Sequence, residues 1–185
     1  MSKCTFGKEE VDYLGHIISK EGVKVDPSKI KAITEWPQLD NISKLRGFLG
    51  LTVYYRKYVK NYAPKTTPLT NLLKKNSFRW NEEAKKCFEA LKSIMSSTPI
   101  LATPDFIKPF AEFNALGFGI GSIFMQEGHT IVFESRKLNK RESLKSTYDE
   151  EMLYIIHALT KWRQCLLGSK ILIRTDHNNL QYLLQ

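Results

Sequence analysis

The stretch that decides the fold is Phe110–Met125, which reads FAEFNALGFGIGSIFM. Apolar and polar residues alternate through its first half, and Gly117, Gly119 and Gly121 then permit a tight turn before apolar residues resume. This pattern predicts two antiparallel strands joined by a glycine-rich turn. We expect the polar residue Asn114 to end the first strand, because asparagine tolerates strand ends and turns.

After this hairpin the sequence predicts a third strand, a helix, a fourth strand and a second helix. Thr147 and Glu150 fit a capping box at the start of the first helix, and Gly168 can end it. The apolar face of that helix is expected to comprise Met152, Ile155, Ile156, Leu159, Trp162 and Leu166. The two further strands and the second helix are expected at His129–Leu138, Lys170–Thr175 and Asn178–Gln185, with Asp176 at the end of the fourth strand.

The first 108 residues predict a small β-unit followed by helices. Thr5 and Phe6, a strand over Val11–Ile18, and Val23 with Val25 favour a hairpin closed by a polar turn at 19–22. Three helices are expected to begin after the capping residues Asp26, Asn41 and Asn81. We expect Gly50 to break or bend the second helix, and the third helix to bury Ala84, Phe88, Leu91 and Met95.

The composition and net charge of the chain limit the classes of function that it can have. The chain has 185 residues, is 42% hydrophobic, and carries a formal net charge of +9, which is the composition of a globular protein with a basic surface. Its three cysteines are far apart, and neither a signal peptide nor about 18 consecutive apolar residues occur, so we expect an intracellular protein without a membrane span. Residues 41–81 carry nine basic residues and no acidic one, which indicates polyanion binding or, alternatively, a solvated basic face.

Three strings resemble the ribonuclease H domain of reverse transcriptases from gypsy-type LTR retrotransposons. Phe113–Gly121 is similar to the family's Thr-Asp-Ala-Ser motif followed by Gly-Ile-Gly, and the frame puts Asn114 where the family has its first metal-binding aspartate. The string from Tyr148 to Leu153 resembles Tyr-x-x-Glu-Leu-Leu, and Arg174–His177 resembles Arg-Thr-Asp-His. The resemblance therefore implies catalytic positions at Asn114, Glu151 and Asp176.

Two further strings resemble the polymerase part of the same proteins. Leu45–Val59 closely resembles the thumb string Leu-Arg-x-Phe-Leu-Gly-Leu-x-x-Tyr-Tyr-Arg-Arg-Phe-Ile, and Cys4–Gly7 with Tyr13–His16 is similar to the primer-grip hairpin at the end of the palm. These strings imply contacts with the backbone of a nucleic-acid duplex. The expected contact residues are Lys44, Arg46, Arg56, Lys57, Lys60, Tyr13 and His16. The helical spacing of the tyrosines favours core packing over stacking on bases.

The predicted fold class is α+β, with a β-hairpin and helical thumb followed by an incomplete ribonuclease H-like α/β domain in the order β-β-β-α-β-α. We expect the end of the palm at 1–25, the thumb and connection at 26–98, a linker at 99–108 and the ribonuclease H-like domain at 109–185. The linker is placed by the string Pro99–Phe106, which is similar to the family's Pro-Val-Leu-x-x-Pro-Asp-Phe. The chain is expected to be a gene fragment, or an excerpt of a longer reading frame.

The family activity implied by this resemblance is RNA-directed DNA synthesis together with hydrolysis of RNA in RNA–DNA hybrids by two divalent ions, Mg²⁺ or Mn²⁺. Glu151 and Asp176 are suitable oxygen ligands, although a first-turn glutamate and a helix N-cap are ordinary structural alternatives for them. Asn114 offers one neutral carbonyl oxygen where a carboxylate offers two anionic ones. The polymerase aspartates would precede Met1 and the fourth acidic ligand would follow Gln185.

Three interpretations follow for function. The first is a retroelement polyprotein segment whose nuclease activity is lost or severely weakened. The second is a non-enzymatic module that binds RNA–DNA hybrid or another duplex, with affinity that falls steeply with salt. The third is a poorly folded relic in which Ile155, Leu159 and Leu180 stay uncovered. The expected partners are nucleic-acid duplex and the rest of the polyprotein.

Overall fold

The computed structural model of the chain describes residues 7–108, 112–116, 121–167, 171 and 173–175. Within these ranges, the backbone alone is described for residues 112–116, 147, 148, 151, 174 and 175. The chain divides into an N-terminal unit, Met1–Val59 with Pro68–Thr103, and a C-terminal unit, Lys60–Thr67 with Pro104–Gln185. In the described ranges, no helix is both long and apolar enough to cross a membrane.

The N-terminal unit begins with a three-stranded antiparallel sheet. Its strands are β1 (Glu10–Tyr13), β2 (His16–Ser19) and β3 (Gly22–Val25), in the order β1-β2-β3. The single strand predicted over 11–18 is therefore wrong, because Leu14 and Gly15 adopt positive φ angles of 49° and 75° and form a turn inside it. The predicted strand residues Thr5 and Phe6 lie outside the described residues.

Helices follow the three predicted caps. They are α1 (Pro27–Thr34), α2 (Ile42–Tyr54) and α5 (Glu82–Ser96), with a 3₁₀ turn at Arg56–Tyr58 and short helices α3 (Tyr62–Lys65) and α4 (Thr67–Asn71) between them. The side-chain oxygens of Asp26, Asn41 and Asn81 accept from backbone N–H groups two or three residues on, at 2.8–2.9 Å, which confirms the predicted caps. The break expected at Gly50 is wrong: α2 continues through it. Burial of the flanking Phe48, Leu49 and Thr52 outweighs the cost of one glycine, about 1 kcal/mol.

The core of the N-terminal unit lies between these helices. The predicted face of α5, Ala84, Phe88, Leu91 and Met95, is buried, and Phe88 packs edge-on against Phe48 with ring centroids 4.7 Å apart. Leu101 forms an antiparallel bridge with Val23, with N···O distances of 2.7 and 2.9 Å. The segment that the sequence predicted as a linker is thus fastened at Leu101 to the edge of β3.

The C-terminal unit contains a four-stranded mixed sheet. Its strands are β4 (Glu112–Leu116), β5 (Gly121–Gln126), β6 (His129–Ser135) and β7 (Ile173–Thr175), in the order β6-β5-β4-β7. β4, β5 and β6 pair antiparallel, and β7 runs parallel to β4. The predicted mixed α and β class and the predicted hairpin are confirmed. Asn114 does not end the first strand, because it pairs with Ile123 on one side and Arg174 on the other and β4 runs on to Leu116.

A helical segment of the C-terminal unit packs on this sheet. α6 (Thr147–Lys161) is followed by α7 (Arg163–Leu166), and the core between helices and sheet comprises Phe124, Ile155, Ala158, Trp162 and Leu166. Phe124 stacks on Trp162 with ring centroids 5.0 Å apart. Of the residues that the relic interpretation expects to be uncovered, Ile155 is 7% exposed and Leu159 packs against the same core, and Leu180 lies outside the described residues. The cap is Ser146 rather than Thr147, since the Ser146 hydroxyl accepts from Asp149 N at 3.2 Å.

The predicted apolar face of α6 is only partly buried. Ile156 is 52% exposed and does not belong to the core, because the neighbouring positions 155 and 158 face the sheet instead. The predicted helix end at Gly168, the predicted strand residues Lys170 and Leu172, and the helix predicted over 178–185 lie outside the described residues.

Candidate nucleic-acid interface and metal positions

The β1–β2 turn is held by side chains from the end of α2. The hydroxyl of Tyr54 donates to the carbonyl of Leu14 at 2.8 Å, and the hydroxyl of Tyr55 donates to the carbonyl of Gly15 at 3.1 Å. The backbone N–H of Asp26 donates to the same Gly15 carbonyl at 3.1 Å. Three donors therefore fix a turn whose first residue, a leucine, has a backbone conformation that leucine seldom adopts.

His16 lies beneath this turn and is buried, with 8% of its surface exposed. Its Nδ1 is 3.1 Å from the hydroxyl of Tyr58, and its ring stacks on Tyr54 and meets Tyr55 edge-on, with centroids 5.5 and 5.4 Å apart. Burial lowers the pKa of His16, and the positive charge of Lys57 lowers it further. The arrangement favours a neutral imidazole that supports the turn from inside.

The outer side of the turn is apolar and aromatic. Tyr13 is 60% exposed, Leu14 69% and Tyr54 50%, whereas Tyr55 and Tyr58 are buried in the core. The predicted core packing of the tyrosines is thus confirmed for Tyr55 and Tyr58, and Tyr54 is exposed. We call the exposed group Tyr13, Leu14 and Tyr54 the hairpin tip. Aromatic rings held at a fixed, open position are suited to stacking on nucleotides.

The predicted basic contact residues are distributed over both units. In the N-terminal unit, Arg46 is exposed on α2, and Lys44 pairs with Asp40 at 2.6 Å, which lowers the pKa of that carboxyl group. Arg56 and Lys57 lie partly buried in the 3₁₀ turn, where burial lowers the pKa of Lys57. Lys60 is exposed and belongs to the C-terminal unit.

The candidate metal positions are related through the sheet backbone. Asn114 lies on the inner strand β4, opposite Arg174 of β7, and Asp176 follows the last residue of that strand in the sequence. Helix α6, which carries Glu151, contacts β4. The side chains of Asn114 and Glu151 and the whole of Asp176 lie outside the described residues. Elsewhere in the described chain, no group of three or more His, Cys, Asp or Glu residues could hold a metal ion.

The chemistry of these donors does not fit a two-ion magnesium site. Mg²⁺ requires hard oxygen ligands, and two ions about 3.5–4 Å apart require an anionic ligand that can bridge them. The set of Asn114, Glu151 and Asp176 supplies two carboxylates and one amide. An amide has one neutral oxygen and a donor NH₂ group, so it does not replace a bridging carboxylate.

Sequence reasoning missed two polar contacts around β6. Arg136 pairs in a bidentate manner with Glu142, at 2.7 and 3.1 Å, and His157 Nε2 lies 3.6 Å from Oε1 of the buried Glu134. Glu134, Arg136 and His157 line a small pocket that Tyr154 also lines, and burial raises the pKa of Tyr154 to about 12. For the contact between Arg136 and Glu142, the close spacing of charged residues over 134–142 was the available signal in the sequence. The contact between Glu134 and His157 joins a strand to a helix and has no signal in the sequence.

Comparisons with known proteins agree with the motifs. The family model described as the RNase H-like domain found in reverse transcriptase matches residues 80–173. The chain is 40% identical over 186 residues to the retrovirus-related Pol polyprotein from transposon 297, and 41% identical over 195 residues to that from transposon gypsy, both from Drosophila melanogaster. These matches cover 99% and 97% of this chain but 18% and 19% of the polyproteins. The chain thus spans about a fifth of the length of the Pol polyproteins it matches.

A mitochondrial protein of Arabidopsis thaliana is 54% identical over 110 residues, which cover 58% of this chain and 70% of that protein. Among solved structures, the foamy viral protease-reverse transcriptase dRH in complex with double-stranded DNA is similar with a TM-score of 0.83 and 21% identity, over 96% of this chain and 32% of that one. The same viral protein in complex with RNA/DNA hybrid gives a TM-score of 0.82 and 21% identity, over 95% and 25%. These likenesses concern the fold.

Proposed function

Because the chain belongs to the family of RNase H-like domains found in reverse transcriptases and matches part of the Pol polyproteins of LTR retrotransposons, we propose that it holds an RNA–DNA hybrid or a related duplex. We further propose that hydrolysis of the RNA strand is lost or severely weakened in it. The first part rests on the basic and aromatic surface of the N-terminal unit, and the second on Asn114.

The proposed loss of hydrolysis rests on the presence of Asn114. It occupies an inner strand, paired on both sides, in a sheet whose parallel neighbour β7 leads in the sequence to Asp176. The family motif has a carboxylate at this position. The change removes one negative charge and one bridging oxygen, and both are needed to hold two divalent ions against their mutual repulsion. Glu151 and Asp176 would be left to hold any ion, and the donor set then favours weak single-ion binding.

The test is cleavage of an end-labelled RNA–DNA hybrid in Mg²⁺ or Mn²⁺ by the wild-type chain and by Asn114→Asp. A matched control is Asn76→Asp, which makes the same charge change at an exposed turn of the N-terminal unit. Cleavage by Asn114→Asp alone supports the proposal. Equal cleavage by the wild type and Asn114→Asp contradicts it. If no variant cuts while all bind the hybrid, Asn114 is not the sole defect and the chain acts as a binding module.

The hairpin tip supports duplex binding as a function in its own right. Tyr13 and Leu14 are exposed on a turn that three hydrogen bonds hold in place. The exposed Arg46 lies on α2, and the last residue of that helix and the residue after it supply two of those donors. Because the turn is already held in one conformation, less conformational entropy is lost when it binds a ligand. Arg46 and its basic neighbours would contact phosphates and the aromatic tip would contact sugars or bases, so affinity is expected without sequence readout.

Fluorescence anisotropy with a labelled hybrid of about 20 base pairs tests this binding. We expect log K to fall linearly with log salt, and Arg46→Gln to reduce the slope by about 0.9 if one phosphate contact is lost. Lys31→Gln is the matched control, because Lys31 is an exposed cation on α1, outside the run of basic residues at 41–81. Tyr13→Ala should weaken binding at every salt concentration with little change in slope. Binding that is insensitive to salt would contradict the proposal.

A further inference from the structure

The N-terminal unit has a small surface pocket that the motif analysis did not assign to any role. Its volume is about 90 Å³. Pockets for drug-sized ligands measure about 300–1,000 Å³, so this one can take only a small molecule or one end of a larger one. The lining comes from α5, the residue before its cap and the segment between α1 and α2, and consists of Gln38, Trp80, Lys85, Phe88, Glu89 and Lys92.

The inner wall of the pocket is aromatic. Phe88 is 2% exposed, and its ring meets that of Trp80 edge-on with centroids 5.9 Å apart. On its other side Phe88 packs against Phe48 in the core, which fixes the position of the wall. In the described part of the chain, the indole Nε1 of Trp80 is buried and has no hydrogen-bond partner. Such a donor is costly to leave unpaired, so an acceptor supplied by a ligand would stabilise this wall.

Two cations and one anion surround the aromatic wall. The ammonium of Lys92 donates to the carbonyl of Trp36 at 2.7 Å and lies 4.3 Å from the centroid of the Phe88 ring. Lys85 and Glu89 are exposed on α5. Among the residues that the structure describes, neither of these two is in an ion pair. Two lysines against one glutamate leave the lining with one positive charge.

We propose that this pocket binds a small monocarboxylate with an apolar body. The carboxylate would lie at Lys85 and Lys92, where it is attracted by both charges. The apolar body would cover the rings of Phe88 and Trp80, and a small movement of the indole would bring its Nε1 within reach of a carboxylate oxygen. A second negative charge on the ligand would be repelled by Glu89, which favours a monoanion over a dicarboxylate.

Two sources supply this chemistry, namely a free branched-chain acid and the C-terminus of a peptide that ends in leucine. In either case the carboxylate stands next to a branched apolar group. The inference is independent of the proposed duplex binding, because none of the lining residues belongs to the expected nucleic-acid contacts.

The experiment is a titration of the full chain with isocaproate, the carbon skeleton of leucine without its amino group, followed by proton–nitrogen correlation NMR of the indole N–H groups. The chain has three tryptophans. Trp80→Phe and Trp36→Phe assign two of the signals and leave Trp162, in the C-terminal unit, as the internal reference. We expect a saturable shift of the Trp80 signal with a Kd of about 1 mM, which about eight non-hydrogen atoms can supply. The Trp162 signal should not move.

The neutral amide of the same acid tests recognition of the charge. Isocaproamide has nearly the same shape and should bind at least about tenfold more weakly, because hydrogen bonds to charged groups are the stronger ones. This comparison uses the wild-type chain and does not depend on the folding of any variant. N-acetylleucine carries the same group with a peptide bond attached. Tighter binding of N-acetylleucine than of isocaproate supports a peptide C-terminus as the source, and weaker binding supports a free acid.

Two charge reversals on α5 test the position of the site. Lys85→Glu should weaken isocaproate binding by about tenfold, because repulsion replaces attraction at the pocket. Lys86→Glu is the matched control, since Lys86 is an exposed cation on the same helix that does not line the pocket. Its charge is screened by solvent and salt, and a change within about twofold is expected. Equal effects of the two reversals, equal binding of acid and amide, or no saturable shift of the Trp80 signal up to about 20 mM acid would overturn the inference.

Discussion

Tyr58 and His16, which lie 42 residues apart in the sequence, meet inside the N-terminal unit with the phenolic oxygen 3.1 Å from Nδ1 of the imidazole. Both side chains are buried, and neither could lose its partner without leaving a polar group away from water. The contact joins the strand after the β1–β2 turn to the 3₁₀ turn after α2. The exposed position of the hairpin tip therefore depends on an interaction beneath it.

Replacement of Tyr58 by Phe should lower the free energy of unfolding by about 1–2 kcal/mol, because the imidazole keeps its burial and loses its hydrogen-bond partner. Urea denaturation followed by circular dichroism measures this. Tyr13→Phe is the control, since its ring is 60% exposed, and a change within about 0.5 kcal/mol is expected there. Similar losses for the two variants would mean that the Tyr58 hydroxyl has no special role.

The stability of the N-terminal unit should fall as the pH is lowered through about 6.5. Burial and then Lys57 lower the pKa of His16 below its ordinary value of 6.5. Between the folded and unfolded pKa values the unfolded state binds more protons, so stability rises with pH in this window and is lost on acidification. Urea midpoints at pH 7.5 and 5.5 measure the effect. His16→Gln, which cannot titrate, should show a smaller difference between the two pH values than the wild type, and an equal difference would contradict the assignment.

The three helix caps and the buried face of α5 could be predicted because their signals are local. Asp26, Asn41 and Asn81 each bond to a backbone N–H two or three residues away. The β1–β2 turn could not be predicted in this way. Leu14 is an unfavourable residue for a positive φ, and two of the three donors that hold the turn come from tyrosines 40 residues further along the chain.

At the candidate site too, features set by neighbouring residues could be predicted, and features set by residues far along the chain could not. The motif placed Asn114 on the correct strand, but not in the middle of it, since a strand end depends on whether neighbouring strands continue to pair. β5 pairs with Asn114, Ala115 and Leu116, and β7 pairs with the first two of these from about 60 residues away in the sequence. The contact of Glu134 with His157 joins the edge strand β6 to α6, and no periodicity in the sequence predicts which residues of two elements face each other.

Gly22→Ala should destabilise the N-terminal unit by about 2 kcal/mol or more. Gly22 has φ of 131°, which alanine rarely adopts, and a Cβ atom there would overlap the carbonyl oxygen of Leu101. The change should therefore also weaken the bridge between Val23 and Leu101. Gly50→Ala is the matched control, because Gly50 lies within α2 with open space around it. That variant should be more stable than the wild type by about 0.5–1 kcal/mol. Equal effects of the two substitutions would contradict this account.

The ion pair between Arg136 and Glu142, in the segment between β6 and α6, should be lost in acid. Arg136 is the main cause that lowers the pKa of Glu142 from 4.5 to about 2, so the stability that this carboxylate contributes is present above about pH 4.5 and is lost as the pH falls through about 2. A double-mutant cycle with Arg136→Gln and Glu142→Gln measures the coupling. We expect coupling between the two side chains at pH 6 that becomes small at pH 2. Coupling that does not change with pH would show that the Glu142 carboxylate is not its source.

Magnesium should stabilise the Asn114→Asp variant more than the wild type. A ligand that binds only the folded state raises its stability by RT ln(1 + [L]/Kd), which is about 2.7 kcal/mol at a hundredfold excess over Kd. The substitution restores an anionic oxygen pair beside the strand that leads to Asp176, whereas the amide of the wild type leaves the donor set short of a bridging ligand. Thermal melts with and without about 10 mM Mg²⁺, added in excess over the protein so that binding stabilises the folded state, measure the difference, and Asn76→Asp controls for added charge. Micromolar Mg²⁺ binding by the wild type in calorimetry would overturn the argument from Asn114.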